Sequence, residues 1–441
     1  MIASGFIVAN AVAAGFAHID PYNVGWRLMF AAAGIPAAIQ FIGFLFLPDT
    51  PRFYMAKGRE EEAERVLEKV YAGHQDWVDF EMNEIRLFLN EEEKNKAENG
   101  SRSVLLRIFQ TPHVRKALLL GCAMQMFQQF VGINTILYYT GTIIQSAGVR
   151  DKITTIWISC AISAVQSVGT LAPMKLIEKL GRRPILLLSL IGTILSLCLM
   201  GGAFVAINMD SASLDPRHKF DGIDFGSNID NSTIFKCASF SNCDYCTTSQ
   251  GCGFCHPSSD SRSGQCLPIM NGGDKSNSSV GFCSKANANY TLYTFDSDFC
   301  VTKWTAAPIV VMVIYLLCFA FGMGPMPWVF NSEVYPLWAR GTCVSLATFT
   351  NWTFNLLVSL TFLSLGEAIH KYGAFFLYAG ISTIGLVLFY FFIPETKGLP
   401  IEEVEELFKS KKNRRQTIQP MTEEDKGSDK DNDQSEKSTK L

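Results

Sequence analysis

The sequence predicts an all-α membrane protein with a small disulfide-rich insert. Charged residues are gathered into blocks, and seven uncharged runs separate them; each has the roughly 20 residues that a helix needs to cross a bilayer. Of the 441 residues, 48% are hydrophobic and 33 are Phe, a composition typical of membrane proteins. Eight of the 13 cysteines fall in one polar segment between two of the runs.

Eight segments are predicted to span the membrane. The seven uncharged runs are 28–48, 117–149, 153–174, 184–209, 304–332, 341–366 and 372–394. The eighth segment, 1–19, is apolar but short, and its only titratable side chain is His18. A signal peptide is the alternative there, but no Lys or Arg precedes the segment to form a basic n-region. We therefore interpret it as a helix.

The basic residues of the short connections predict the orientation. They are Arg52, Lys57, Arg59, Arg65, the GRR at 181–183, Arg340 and the KKNRR at 411–415. If the spans alternate, all of them lie on one side, which should be the cytosol. This places the C-terminus in the cytosol and the loop 210–303 outside, in a multi-pass protein of the plasma membrane.

The cysteines of that loop support this placement. They are Cys237, Cys243, Cys246, Cys252, Cys255, Cys266, Cys283 and Cys300. An even number of cysteines in a polar segment with little apolar core indicates a disulfide-stapled module, although the pairing cannot be read from the sequence. Zinc held by the two C-x-x-C pairs is the alternative, which an oxidising compartment disfavours. We predict no metal site.

Glycosylation sequons agree with an outer loop. Asn231, Asn277 and Asn289 each begin an N-x-S/T sequence there, and such sites are modified only on the outer or lumenal face. Asn99 and Asn351 also begin sequons, but the predicted topology puts one in the cytosol and the other in a span. The cysteine spacing of the loop resembles the start of a plexin-semaphorin-integrin (PSI) module.

A charged segment at 49–114 is predicted to form a cytosolic helical linker. The stretch EEEAERVLEKVYAG at 60–73 places Val66, Leu67, Val70 and Tyr71 on one face of an amphipathic helix. A second helix is expected over 79–89, followed by an exposed acidic loop. The Lys-, Asp- and Ser-rich end of the chain is expected to be disordered.

Seven motifs occur in the order seen in sugar porters of the major facilitator superfamily. They are PDTPRF at 48–53, QQFVGIN at 128–134, EKLGRR at 178–183, GPMPW at 324–328, EVYPLWARG at 333–341, NWTFN at 351–355 and PETKG at 394–398. The resemblance runs from residue 1 to about 408, and the cysteine-rich loop narrows it to animal proton/myo-inositol cotransporters. It implies a major facilitator fold and proton-coupled transport of a polyol or hexose by alternating access.

The resemblance divides the chain into six parts. They are a remnant of the N-terminal transmembrane half at 1–48, the cytosolic linker at 49–114, three helices of the C-terminal half at 115–209, the outer PSI-like loop at 210–303, the last three helices at 304–394 and a cytosolic tail at 395–441. The chain matches only the fifth to the twelfth span of the family, so we expect the first four spans to be missing.

One predicted span is unusually polar. Its polar residues Gln125, Gln128, Gln129, Thr135 and Tyr139 share a broad helical face. A polyol brings many hydroxyls into a low-dielectric site, and amides suit them because each offers donors and acceptors without charge. The face is therefore expected to line a cavity. The alternative is that the amides only bond neighbouring helices.

The resemblance extends this site to other spans. The substrate-binding residues it implies are Gln128, Gln129, Asn134, Gln166, Trp328, Asn351 and Trp352. Asn134 lies off the ideal helical face, and a break at Gly132 would bring it round. Trp328 is expected to stack on the substrate ring; a packed aromatic near an interface is the alternative.

The resemblance also implies a charge network on the cytosolic side. Its members are Glu178, Arg182, Glu333 and Arg340. In the family these residues lock the two halves together while the site faces outward, and so bias a rocking equilibrium. For Arg182 and Arg340, simple topology anchors are the alternative.

Two departures from the family pattern bear on activity. The family's proton-carrying carboxylate lies in its first span, and the seven uncharged runs of this chain contain no Asp, Glu, Lys, Arg or His. Relatives also carry a Gln in the fifth span, where this chain has Gly5 or Ser4.

Two classes of function follow. The first is a transporter of myo-inositol, or of a related polyol or hexose, with a proton as coupling ion and no cofactor. The second is a truncated protein that does not transport, or one whose outer loop binds a partner. The partners expected are the lipid bilayer, the small substrate and, for the second class, an extracellular partner of the cysteine-rich loop. We predict neither enzymatic activity nor nucleic-acid binding.

Overall fold

The computed structural model describes residues 2–19, 24–99, 104–149, 151–171, 173, 176, 179–214, 231–249, 251–270, 276–285, 287, 290–397 and 407–408. The helices up to residue 210 are α1 (Ile2–Ala17), α2 (Gly25–Phe46), α3 (Pro51–Ala56), α4 (Glu60–Val70), α5 (Gln75–Asn99), α6 (Val104–Gln110), α7 (Pro112–Phe130), α8 (Ile133–Tyr138), α9 (Thr140–Ser146), α10 (Lys152–Gly169) and α11 (Arg182–Asp210). The later helices are α12 (Asn231–Ala238), α13 (Cys243–Thr248), α14 (Ala306–Phe321), α15 (Met326–Glu333) and α16 (Leu337–Phe392). The strands are β1 (Cys252–Pro257), β2 (Gln265–Pro268) and β3 (Tyr293–Asp296).

Within the described residues, four helical stretches are long and apolar enough to cross a membrane. They are Gly25–Phe46, Arg182–Asp210, Ala306–Glu333 and Trp338–Phe392. Ser4–Ala17 and Ile153–Gly169 are apolar but shorter. Every predicted span coincides with helical structure, but two are interrupted and the last two form one kinked element. The count of eight spans stays a prediction.

The kinked element is α16, whose 56 residues would extend about 84 Å if straight. The hydrocarbon core is only about 30 Å thick. The backbone leaves the helical conformation at Ile369 and His370, with φ of 63° at His370. Beyond the kink, the hydroxyl of Thr396 donates to the carboxylate of Glu333, which precedes the start of α16. The chain therefore turns back at the kink, between the predicted spans 341–366 and 372–394.

The centre of the bundle is formed by α7, α11, α14 and α16. Aromatic pairs join these helices: Phe127 meets Phe389 edge-on and Phe204 stacks on Phe375, each pair 5.5 Å apart. By contrast, only Gly25 of α2 is buried. Apart from Arg27 near its start and Gln40, the exposed side chains of α2 are apolar, as expected of a helix that faces lipid tails.

The linker helices form a core of their own. Its buried residues are Met55, Ala63, Leu67, Val78, Met82 and Ile85. Two expectations for this segment were wrong. Val70 is 67% exposed, because it is the last residue of α4 and the chain turns away immediately after it. The acidic stretch expected as a loop is helical to Asn99, since Glu and Lys have high helix propensity.

The disulfide-rich domain combines two short helices with a small antiparallel sheet in the order β2-β1-β3. Its eight cysteines form four disulfides, Cys237–Cys252, Cys243–Cys300, Cys246–Cys266 and Cys255–Cys283. The sulfurs of Cys237, Cys252 and Cys266 lie within 4.8 Å of one another. Each of them is bonded to another sulfur, so none is a thiolate that a zinc ion would require.

Two of the three predicted glycosylation sites can be placed. Asn231 is the first residue of α12, and Asn277 lies in an irregular segment of the domain. Asn289 lies outside the described residues. Asn351, whose sequon was expected to stay unmodified, is 2% exposed within α16.

The disulfide-rich domain is docked on the kink of α16. Asp244 of α13 is 4% exposed and accepts hydrogen bonds from Asn208 at the end of α11 (2.9 Å) and from Lys371 just after the kink (3.4 Å). The ring of Tyr245 lies 4.4 Å from that of His370. The domain is therefore fixed to the ends of two long helices and is not a free appendage.

The two ends of the domain are tied together through Asp210. Its carboxylate accepts from the backbone N–H of Lys303 (2.9 Å) and the hydroxyl of Thr302 (3.1 Å), and it pairs with Arg262 at 3.3 Å. The N–H of Lys303, with help from Thr302 and Arg262, holds the pKa of Asp210 below its ordinary value. The carboxylate therefore stays charged at neutral pH.

Candidate functional site

The polar predicted span is broken at Gly132, as the family resemblance implied. The backbone turns at Val131 and Gly132 between α7 and α8, and Gly132 has φ of 87°. A Cβ at Gly132 would lie 3.0 Å from the ring of Tyr378, so both the backbone conformation and the close packing require glycine. The hydroxyl of Tyr315 donates to the buried carbonyl oxygen of Val131 at 3.0 Å. A protein side chain therefore satisfies this carbonyl at the break.

Three buried amides meet just before this break. The side-chain nitrogen of Asn351 donates to Gln125 Oε1 at 2.7 Å and to Gln128 Oε1 at 2.8 Å. Gln128 Nε2 donates in turn to the carbonyl oxygens of Met323 (3.0 Å) and Gly324 (2.8 Å). The structure thus brings Gln128 and Asn351 together, and most of the hydrogen-bonding capacity of Gln128 is used within the protein.

A second amide pair bridges the break itself. Asn134 Nδ2 donates to Gln129 Oε1 at 2.5 Å, and Gln129 is 4% exposed. On an unbroken helix these two side chains, five residues apart, would point in different directions. The turn at Gly132 places them side by side, which is the rearrangement expected from the sequence.

Two buried amide atoms near this cluster have no hydrogen-bond partner among the described residues. They are Gln125 Nε2, a donor, and Gln166 Oε1, an acceptor. A polar group left unsatisfied in this way costs about 1–3 kcal/mol. Each such group needs an explanation, and a bound ligand or water that supplies the missing partner is one. Donors and acceptors are both represented, as a ligand made of hydroxyl groups would need.

The two tryptophans of the predicted site are accessible. Trp328 lies in the first turn of α15 and is 41% exposed, and Trp352, next to Asn351 on α16, is 59% exposed. Neither indole is enclosed in the helical core. Both aromatic faces are therefore free to meet a partner outside it.

The charge network is partly assembled on the opposite face of the bundle from the disulfide-rich domain. Arg182 and Glu333 form an ion pair at 3.1 Å, with 24% of each side chain exposed. Arg340 donates from Nε and Nη2 to the carbonyl oxygen of Tyr335 at 3.3 Å. Glu178 lies outside the described residues, so its place in the network stays a prediction.

Sequence reasoning missed Glu395. Its carboxylate accepts from the backbone N–H groups of Arg182 (2.9 Å) and Arg183 (3.1 Å) at the start of α11. The first N–H groups of a helix have no partner within it, and a carboxylate also favours the positive end of the helix dipole. The PETKG motif contained the signal, but nothing in the sequence says that this Glu reaches a helix more than 200 residues away.

Removal of this cap should destabilise the bundle. Glu395→Ala deletes both hydrogen bonds to α11, and we expect a loss of about 1–2 kcal/mol of unfolding free energy, measured by thermal unfolding in detergent. The matched control is Glu367→Ala, which breaks a partly exposed ion pair with Lys236 at 3.1 Å and should change stability by less than about 1 kcal/mol. Equal losses in the two variants would show that Glu395 is not a cap.

Comparison with known proteins gives a family and several relatives. The family model described as "Sugar (and other) transporter" matches residues 1–216 and 281–408. The chain is 48% identical over 418 residues to the proton myo-inositol cotransporter hmit-1.1 of Caenorhabditis elegans, covering 94% of this chain and 68% of the relative. It is 40% identical over 410 residues to the human proton myo-inositol cotransporter, covering 92% of this chain and 61% of the relative.

A solved structure has the same fold. It is the proton:xylose symporter XylE bound to 6-bromo-6-deoxy-D-glucose, which belongs to the major facilitator superfamily. The TM-score is 0.56 at 20% sequence identity, over 92% of this chain and 65% of that one. At this identity the likeness concerns the fold alone.

Proposed function

Because this chain belongs to the sugar transporter family, we propose that it carries myo-inositol, or a related polyol or hexose, across a membrane together with protons. The family match confirms the resemblance seen in the sequence, and the likeness to XylE confirms the major facilitator fold. The chain is a multi-pass membrane protein, and members of this family are transporters and not enzymes. The plasma membrane and a cytosolic C-terminus are part of the proposal.

The amide cluster at the break between α7 and α8 carries this proposal. It joins uncharged donors and acceptors from helices distant in sequence, and buried atoms with no partner accompany it. The residues we propose to contact substrate are Gln128, Gln129, Asn134, Gln166, Trp328, Asn351 and Trp352. Hydroxyl groups of a polyol would replace the missing hydrogen bonds, and a tryptophan face would cover its carbon skeleton.

Alternating access is the proposed mechanism. Arg182 and Glu333 pair where α11 and α15 meet, and breaking this pair would favour opening of that face. Glu178 and Arg340 are proposed to take part in the same gate. Such residues bias a conformational equilibrium and do no chemistry.

Proton coupling is proposed by similarity to the relatives, whose names include it. No cofactor is needed for this kind of transport, which uses the proton gradient. The chain spans 68% and 61% of the two cotransporters compared above. For this reason the alternative, a protein that does not transport or that binds a partner through its disulfide-rich domain, is kept as a second candidate.

Uptake of radiolabelled myo-inositol tests the proposal. Cells expressing the chain are compared at acid and at neutral external pH, with the amount of surface protein measured in parallel. We expect uptake above that of untransfected cells, rising several-fold at acid pH because protons then drive the substrate inward. Good surface expression without uptake at either pH would favour the second candidate.

A further inference from the structure

The break between α14 and α15 is stabilised by side chains that belong to other helices. Residues 322–325 interrupt the helical hydrogen bonding just before Trp328, in the middle of an apolar stretch, Ala306–Glu333. A break in such surroundings requires partners for each freed N–H and C=O, since no lipid can supply them.

One hydroxyl serves both sides of this break. Ser189 Oγ, on α11, donates to the carbonyl oxygen of Cys318 at 2.6 Å and accepts from the N–H of Met323 at 2.8 Å. Ser189 is 2% exposed and Met323 is fully buried, so water cannot easily replace these bonds. The single oxygen therefore ties the last turn of α14 to the first residues after it.

The packing leaves this oxygen little freedom. A Cβ at Gly322 would lie 2.6 Å from Ser189 Cβ and 2.6 Å from the carbonyl oxygen of Ile185. The break is thus pressed directly against α11, and only glycine allows so close an approach. Ser189 is the polar side chain at that contact.

Gln128 completes the support from the other side. Its Nε2 donates to the carbonyl oxygens of Met323 and Gly324, while its Oε1 accepts from Asn351. The four freed backbone groups described here are thus shared between α11 and α7. No substrate is needed to satisfy them.

We propose that Ser189 is a positioning residue for the substrate site, which, with Gln128, fixes the break that sets the position of Trp328. This inference rests on the proposed function, because it takes Trp328 to contact the substrate. Without the Ser189 hydroxyl, Met323 N–H and Cys318 C=O lose their partner. The break then opens more often and the indole is held less well.

Two alanine variants on the same helix test the proposal. Ser189→Ala removes the hydroxyl at the break. Ser196→Ala removes an equally buried hydroxyl, 1% exposed, which bonds only to the carbonyl oxygen of Gly192 in its own helix (2.7 Å). Hydrogen exchange of the purified full chain is followed over residues 318–330. We expect exchange there to be about tenfold faster in Ser189→Ala, as for the loss of one or two hydrogen bonds, and unchanged in Ser196→Ala.

Uptake kinetics separate positioning from a purely structural role. In Ser189→Ala the KM for myo-inositol should rise several-fold at unchanged surface expression, and in Ser196→Ala it should not. If Ser189→Ala fails to fold, Ser189→Cys, whose thiol is a weaker donor and acceptor, should give the same effects at smaller size. Exchange equal in the Ser189 and Ser196 variants, or faster exchange with an unchanged KM, would overturn the proposal. Absence of uptake in the unmodified chain would count against the proposed function instead, while the exchange result would still decide whether Ser189 holds the break.

Discussion

Gln129→Ala is expected to abolish uptake of myo-inositol without reducing the amount of protein at the cell surface. Gln129 is 4% exposed, and its Oε1 accepts from Asn134 Nδ2 across the break in the polar helix. The substitution removes one proposed substrate contact and leaves the amide of Asn134 without its partner. Loss of hydrogen bonds in a buried site costs about 1–3 kcal/mol each, so uptake at low substrate concentration should fall by more than about tenfold.

The matched control is Gln145→Ala. Gln145 is an amide on α9, in the same predicted span, but it is not among the residues of the buried cluster. Its removal should leave uptake within about twofold of the unmodified protein, since it deletes none of the proposed substrate contacts. If Gln129→Ala takes up as much substrate as the unmodified protein, under conditions in which the unmodified protein transports, then Gln129 is not part of the substrate site.

The second large effect is expected from the disulfide Cys243–Cys300. Its cysteines are 57 residues apart, whereas those of Cys237–Cys252 are 15 apart. In the chain-entropy model the longer loop stabilises the folded state by about 4 kcal/mol and the shorter by about 3 kcal/mol. Replacing both cysteines of the longer loop by serine should therefore cause the greater loss.

Position adds to this difference. Cys300 lies two residues before Thr302, which together with Lys303 is held by Asp210 at the base of the domain. Loss of the Cys243–Cys300 bond should also loosen α13, whose Asp244 and Tyr245 dock on the kink of α16. Limited proteolysis and thermal unfolding of the two double-serine variants compare these effects. A greater loss from the Cys237–Cys252 pair would contradict the expected order.

Several features of the site followed from local sequence. Gly132 interrupts the polar span, and the family resemblance implied a break there that would bring Asn134 round to the polar face. The structure has this break, and Asn134 bonds Gln129 across it. The distribution of charges predicted where the apolar helical segments lie, but not the breaks within them. The kink at residues 369–370 falls between the predicted spans 341–366 and 372–394. The chain turns there within a single kinked helical element and not through a separate loop.

Other features were beyond local reasoning. Glu395 caps a helix that begins 213 residues earlier, and Ser189 bonds a carbonyl 129 residues later. Sequence alone favours a different role for each of them, since a Glu near a chain end is usually solvated and a Ser in a span usually bonds its own helix. The pairing of the eight cysteines could not be predicted either, because it too depends on contacts between residues distant in the sequence.

The sequence by itself determined which segments are apolar, where glycine permits a break and which polar side chains lie in the bundle, because these depend on residue type and helical spacing. Only the tertiary structure decided which of those side chains meet. Gln128 and Met323, 195 residues apart, are joined at 3.0 Å. A hydrogen bond needs two groups within about 3 Å, and that distance is set by the packing of whole helices and not by either residue alone.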